Sequence, residues 1–203
     1  MGGSETTSIA SIWILSALLN NRHTLKRAQE ELDLKVGRGR WVEESDIQNL
    51  IYLQAAVKET LRLYPPGPLL VPHEAIQDCS VCGYHIPKGT RLLVNVWKLH
   101  RDPDAWSDPE EFQPERFLTT HANLNVFGQH SELIPFSSGR RSCPGIALAL
   151  QILHLTVARL LQGYDMTTPL NAPVGMTEGI GLAMPKETPL EVMLTPRLPS
   201  LLY

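Results

Sequence analysis

The sequence predicts a mainly helical α+β fold, long helices with small β-sheets. Two observations carry this. Apolar residues recur at helical spacing through the first third and again near residue 150, and short β-branched runs between Pro and Gly breaks fill the stretches around them. The 203 residues suffice for a packed core, and they read as a single partial domain over 1–203 without repeats, low-complexity tracts or internal linkers.

The first helix is expected over 4–20, where Ile9, Ile12, Trp13, Leu15, Leu18 and Leu19 share helical spacing. Its start, Met1-Gly2-Gly3, has no Ser, Thr, Asp or Asn in the usual capping place before the first apolar turn. A charged amphipathic helix follows over 25–34, and two more, closely spaced, over 44–52 and 54–63. Pro65-Pro66 ends the last of these, because proline lacks the N–H that would continue it. Strands are expected over 69–76, 80–86 and 90–96, with a turn at Pro87-Lys88-Gly89-Thr90. Residues 102–120, rich in Asp, Pro and aromatics, read as an ordered meander with Trp97, Trp106, Phe112 and Phe117 as its core. A long apolar helix is expected over 145–162, and short strands with Gly and Pro turns over 164–194.

Charge and composition exclude several functions. A net charge of −3 gives no drive toward nucleic acid or anionic lipid. Three cysteines imply no disulfide framework. No stretch reads as a signal peptide or membrane span, the apolar run at 9–19 being short and interrupted by Ser11 and Ser16. Cys79-Ser-Val-Cys82 is a lone pair without the second pair a zinc site needs, so its thiols are expected to be buried or partly exposed in a strand pair.

Cys143 has a different setting. It lies in Phe136-Ser-Ser-Gly139-Arg140-Arg141-Ser-Cys143-Pro144-Gly145, just ahead of the long apolar helix. Gly139 permits a tight turn, and two arginines put positive charge beside the sulfur. Pro144 suits the first helical position, which would set Cys143 at the positive end of the helix dipole. A thiolate in that setting is a metal ligand or a nucleophile.

The pattern Phe-x-x-Gly-x-Arg-x-Cys-x-Gly, met here by Phe136, Gly139, Arg141, Cys143 and Gly145, resembles the haem-binding signature of the cytochrome P-450 family, the haem-thiolate monooxygenases. The resemblance implies haem b as cofactor and Cys143 as its axial iron ligand; in this family cysteine ligation pushes electron density onto iron and favours O–O cleavage. Further segments extend it. Glu59-Thr-Leu-Arg62, with its two charges three apart on one helix face, and Pro114-Glu115-Arg116-Phe117 resemble the two family motifs that form a Glu-Arg-Arg network bracing the haem loop. This implies structural roles for Glu59, Arg62 and Arg116. Gly2-Gly-Ser-Glu5-Thr6-Thr7 resembles the oxygen-activating segment, with Gly2 in place of the commoner Ala. There a threonine hydroxyl can bond the carbonyl four residues back and bend the helix, and Glu5 and Thr6 are implied as a catalytic proton relay. His73 and Arg141 are the implied partners of the haem propionates. Segments 68–71 and 177–182 are the implied substrate-facing stretches.

The resemblance spans the whole chain and is to the carboxy-terminal portion of a plant-like member, beginning inside the long helix that crosses the distal face of the haem. It implies a small lipophilic substrate, dioxygen, and an NADPH-dependent reductase as electron donor. It also implies endoplasmic reticulum membrane localisation for full-length relatives, through an amino-terminal anchor not in this chain. Two other readings are a truncated, inactive fragment without stable haem, and a haem-thiolate isomerase or dehydratase that does not use dioxygen. Intact Glu5 and Thr6 argue against the last. Exposed apolar faces on the first and last long helices are expected.

Overall fold

The structure, a computed structural model, describes residues 2–203; the expected uncapped start at Met1 lies outside the described residues. Five α-helices span Gly2–Asn20 (α1), Arg22–Lys35 (α2), Ile51–Leu63 (α3), Val96–Leu99 (α4) and Ile146–Gly163 (α5). Helices α1, α2, α3 and α5 pack on one another around a core that includes Ile14, Leu18, Leu32, Leu53, Val57, Leu153, Val157 and Leu161. A second cluster, with Trp106, Phe117, Leu124, Val126 and Leu133 around Ala55, fixes the meander onto α3. A third joins Leu70, Val96 and Ile134.

The helix boundaries follow from identifiable partners. Asn21 donates its side-chain amide to the Ala17 carbonyl at 2.8 Å, closing α1 one residue before α2 begins. The helix expected over 44–52 is instead a 3₁₀ turn, Glu44–Asn49. The Asp46 carboxylate accepts from the Glu43 N–H at 2.9 Å and from the Arg40 guanidinium at 2.7 and 2.8 Å, which tightens the turn. Helix α3 then starts at Ile51, three residues earlier than the spacing predicted, because Glu31 of α2 accepts from the Tyr52 and Leu53 N–H groups at 2.8 and 3.0 Å. A carboxylate on those otherwise unpaired first-turn amides is favourable.

The expected strands are mostly loop. Antiparallel pairs form between His73–Glu74 (β1) and Arg91–Leu92 (β4), between Cys79–Val81 (β2) and Tyr84–Ile86 (β3), and between Tyr164–Thr167 (β5) and Met193–Pro196 (β6). The run at 69–76 is broken by Leu70, which turns with φ of 54°. The run at 80–86 is a hairpin folded at Cys82-Gly83, both with positive φ, the two-residue turn that matches strand twist. The run at 90–96 ends where Asn95 caps α4 by accepting from the Lys98 N–H at 2.9 Å. Trp106 and Phe117 are core, whereas Trp97 and Phe112 are only half-buried.

Helix α5 begins at Ile146, so Pro144 precedes the helix rather than opening it, and Gly145 is the N-cap. Among the described residues α5 is the one helix long and apolar enough to cross a membrane, but it packs along α1, α2 and α3. The expectation of exposed apolar faces holds for α5, where Leu148 and Ile152 are exposed, and on α1 only at Ile12, since Trp13, Ile14 and Leu18 are fully buried.

Candidate haem-thiolate site

The Cys143 loop is a closed turn. The Cys143 N–H donates to the Phe136 carbonyl at 2.9 Å, and the Ser142 N–H to the Gly139 carbonyl at 3.1 Å, around a 3₁₀ turn, Gly139–Arg141. Gly139 has φ of 70° and Ser137 φ of 68°, so the loop reverses twice in the left-handed region. It rests on Gly128, where a Cβ would lie 2.7 Å from the Ser137 carbonyl oxygen. The Ser138 hydroxyl donates to the Gly128 carbonyl at 2.8 Å, tying the two segments together. Cys143 is a free, half-buried thiol, with its sulfur 3.9 Å from where a Gly145 Cβ would stand. Phe136 is half-buried and packs against the main core. Arg141 is exposed and has no carboxylate partner among the described residues. These five residues thus share one loop.

Glu59, Arg62 and Arg116 form one buried cluster. Arg62 forks onto Glu59 through Nε and Nη2, at 2.8 and 2.9 Å. Its Nη1 donates to the His100 and Pro109 carbonyls, each at 2.7 Å. Arg116 donates from Nε to the same carboxylate at 3.1 Å and from Nη1 to the Ser107 carbonyl at 2.9 Å. The Gln113 N–H adds a further bond to Glu59 at 2.9 Å. Side chains of Glu59 and Arg62 are wholly buried and Arg116 nearly so. One carboxylate cannot neutralise two guanidinium groups, and the meander's backbone carbonyls absorb the remaining donors. Both guanidinium groups also lie over the Trp106 ring, 5.0 and 5.8 Å from its centroid. An arginine fork, not a lysine, suits this geometry.

The remaining sequence-derived residues are spread over other elements. Glu5 is exposed and Thr6 half-buried in the first two turns of α1, the helix that packs along α5. The neighbouring Thr7 hydroxyl donates to the Gly3 carbonyl at 2.8 Å, while the helix continues unbroken to Asn20. His73 is half-buried in β1, opposite Leu92 of β4. Residues 66–71 are joined to 92–97 by the Val94 N–H to the Leu69 carbonyl and the Trp97 N–H to the Pro68 carbonyl. The Met184 N–H donates to the Pro66 carbonyl at 2.9 Å and brings up the stretch at 177–186. Leu69, Val71, Leu92, Leu93, Ile180 and Leu182 are all exposed on these segments. Cys79 and Cys82 are exposed on the β2–β3 hairpin, a correction to their expected burial or part-burial.

Two buried residues escaped sequence reasoning. Arg101 donates to the Leu63 carbonyl at 2.5 Å and pairs with Glu110 at 3.0 Å, while its guanidinium lies 4.1 Å from the Trp97 ring centroid. His100 is fully buried, and burial pushes its pKa down to about 3. Neither has a local signal; His-Arg-Asp-Pro at 100–103 reads as an ordinary polar turn.

A soft, unpaired thiol in a rigid loop, an apolar residue beside it and a guanidinium without a carboxylate partner fit an iron porphyrin bearing anionic propionates. The comparisons agree. The family model described as Cytochrome P450 matches residues 1–192, so the chain belongs to the cytochrome P450 family, which implies haem as cofactor. Over 189 residues it is 67% identical to a vinorine hydroxylase of Rauvolfia serpentina, covering 93% of this chain and 39% of the relative. It is 56% identical to a xanthotoxin 5-hydroxylase of Arabidopsis thaliana and to a nicotine N-demethylase of Nicotiana tomentosiformis, in each case over 100% of this chain and 39% of the relative. A zebra fish cytochrome P450 solved with abiraterone superposes with a TM-score of 0.84 at 39% identity, covering 95% of this chain and 44% of that chain. The chain thus spans about two fifths of the length of these plant relatives.

Proposed function

We propose that this chain carries the proximal haem-binding part of a monooxygenase that inserts one oxygen atom from dioxygen into a small lipophilic substrate. The observation that carries this reading is the closed Phe136–Cys143 loop, which holds a free sulfur ahead of α5 in a chain of this family. When bound, haem b supplies the iron at which dioxygen is reduced. Cys143 would hold that iron as its thiolate ligand, and Phe136 and Gly145 would lie against the bound haem. Arg141 and His73 pair with the propionates through charge-assisted hydrogen bonds. Glu59, Arg62 and Arg116 keep the meander, and through it the Cys143 loop, from shifting. Glu5 and Thr6 hold protons at a carboxyl and a hydroxyl on the first turns of α1 and pass them toward the reacting oxygen. The exposed apolar residues of 68–71 and 177–182 contact substrate.

Electrons come from an NADPH-dependent reductase, and the protein works at the endoplasmic reticulum membrane. The named substrates of the relatives, vinorine, xanthotoxin and nicotine, supply the first panel. The test is conversion by the protein at its native length, with haem supplied during expression, reductase, NADPH and isotope-labelled dioxygen. One labelled atom entering a hydroxylated product is the expected result, lost in Thr6→Ala. Conversion without label would instead assign an isomerase or dehydratase, and absence of bound haem a non-enzymatic product.

A further inference from the structure

We infer that His100 is a positioning residue that ties the Cys143 loop directly to the Glu59–Arg62–Arg116 cluster, and that the hydrogen bond at its Nε2 governs how firmly the cysteine sulfur is presented. The inference rests on the haem-thiolate reading of Cys143.

His100 and Arg62 lock each other. The Arg62 Nη1 donates to the His100 carbonyl at 2.7 Å, and the His100 Nδ1 lies 3.1 Å from the Arg62 carbonyl. The opposite ring nitrogen, Nε2, lies 3.0 Å from the Ile134 N–H. An N–H can only donate, so Nε2 accepts, and the ring proton sits on Nδ1, where it donates to Arg62. Each polar atom of the imidazole therefore has one partner, and each partner belongs to a different element: the last turn of α3 and the start of the cysteine loop. Burial keeps the ring neutral, which the acceptor role of Nε2 requires.

The connection continues to the sulfur. The Ile134 carbonyl accepts from the Ser137 N–H at 3.0 Å, and the Phe136 carbonyl accepts from the Cys143 N–H at 2.9 Å. Ile134 is held from below by Leu70 and Val96. The path from the Glu59 carboxylate to Cys143 thus runs through Arg62, His100 and Ile134. Among the described residues, Trp106 and Phe117 reach the loop by packing, and a separate bond ties Ser138 of the loop to the Gly128 carbonyl. Among the described residues, His100 alone links the arginine cluster to the loop by side-chain hydrogen bonds.

Two substitutions separate its two bonds. Asparagine places an amide near the Nδ1 position and can still donate to Arg62, but it falls short of Ile134. Glutamine reaches the Nε2 position and can accept from Ile134. The readout is the ratio of thiolate-type to thiol-type Soret band in the reduced carbon monoxide complex, at matched haem content, in the native-length protein. Outer-sphere partners of metal ligands typically change affinity or activity at least tenfold, so His100→Asn should lower the ratio about tenfold. His100→Gln should restore most of it. An unchanged ratio in His100→Asn overturns the inference. So does an equal loss in both variants at equal urea stability, which would mean packing alone. If His100→Asn yields no soluble protein, amide hydrogen exchange in the unaltered protein decides: Ile134 should exchange as slowly as Cys143, and fast exchange at Ile134 overturns the link. Absence of a thiolate-type band in the unaltered protein would fail the haem-thiolate reading itself.

Discussion

The α3–meander–cysteine-loop region and the stretches 66–97 and 177–186 are held together differently. In the first, two wholly or almost wholly buried guanidinium groups share one carboxylate and at least five backbone carbonyls, and a buried histidine carries the network on to the loop. In the second, two-residue strands and single backbone bonds support exposed apolar side chains such as Val71, Leu92, Ile180 and Leu182. A metal ligand needs one fixed position, and a buried network that pairs both guanidinium groups supplies it. Segments supported by few buried contacts and single backbone bonds open locally at low cost. The contrast predicts that the same kind of substitution has large effects in one region and small effects in the other.

The largest effect is expected for Glu59→Ala. It leaves Arg62 and Arg116 buried without a counter-ion, a change that destabilises by about 3–5 kcal/mol. Urea unfolding should show it directly, together with loss of soluble yield. A change below about 1 kcal/mol would mean that the carbonyl bonds alone hold both arginines.

Acid should come next, acting through His100 in the first region and His154 on α5. The pKa values of His100 and His154 are pushed below the ordinary 6.5, to about 3 and about 4, chiefly by burial. The unfolded chain therefore binds protons before the folded one does. Stability from both groups is complete above about pH 6.5 and falls as pH drops toward 4, by several kcal/mol in total on the order of one per pH unit and per group. The midpoint of urea unfolding should drop between pH 7 and pH 5. His154→Leu should flatten part of that slope, because the His154 Nε2 is buried without a hydrogen-bond partner among the described residues.

In the second region, Trp97→Phe removes the bond from the indole Nε1 to the Glu178 carboxylate, which measures 2.9 Å. The expected loss is about 1 kcal/mol, with faster amide exchange confined to the neighbourhood of 177–186. The smallest effect belongs to Cys79→Ser with Cys82→Ser on the exposed hairpin, within about 0.5 kcal/mol by thermal unfolding. A loss of several kcal/mol there would show that the hairpin is anchored in ways its exposure does not suggest.

The same contrast explains what the sequence made legible. The four long helices were readable because their apolar spacing is local, and the cysteine loop because its glycine, arginines and cysteine lie within ten residues. Strands over 69–96 were overread, since β-branched residues in that stretch serve loops, turns and a hairpin rather than long ladders. The start of α3 was misplaced because its capping carboxylate, Glu31, lies on another helix. The early placement of Pro144 within α5 failed for a local reason, the turn that Gly145 completes before the helix begins. His100 and Arg101 were invisible because the groups that hold them inside, at Arg62, Leu63 and Ile134, are 34 to 38 residues away.

The central claim is that the Cys143 sulfur is the iron ligand. The direct measurement is the reduced carbon monoxide spectrum of the native-length protein beside its Cys143→Ser variant, at matched haem content. The account predicts a thiolate-type Soret band in the unaltered protein and none in the variant. The same band in both proteins, or in neither, would contradict it.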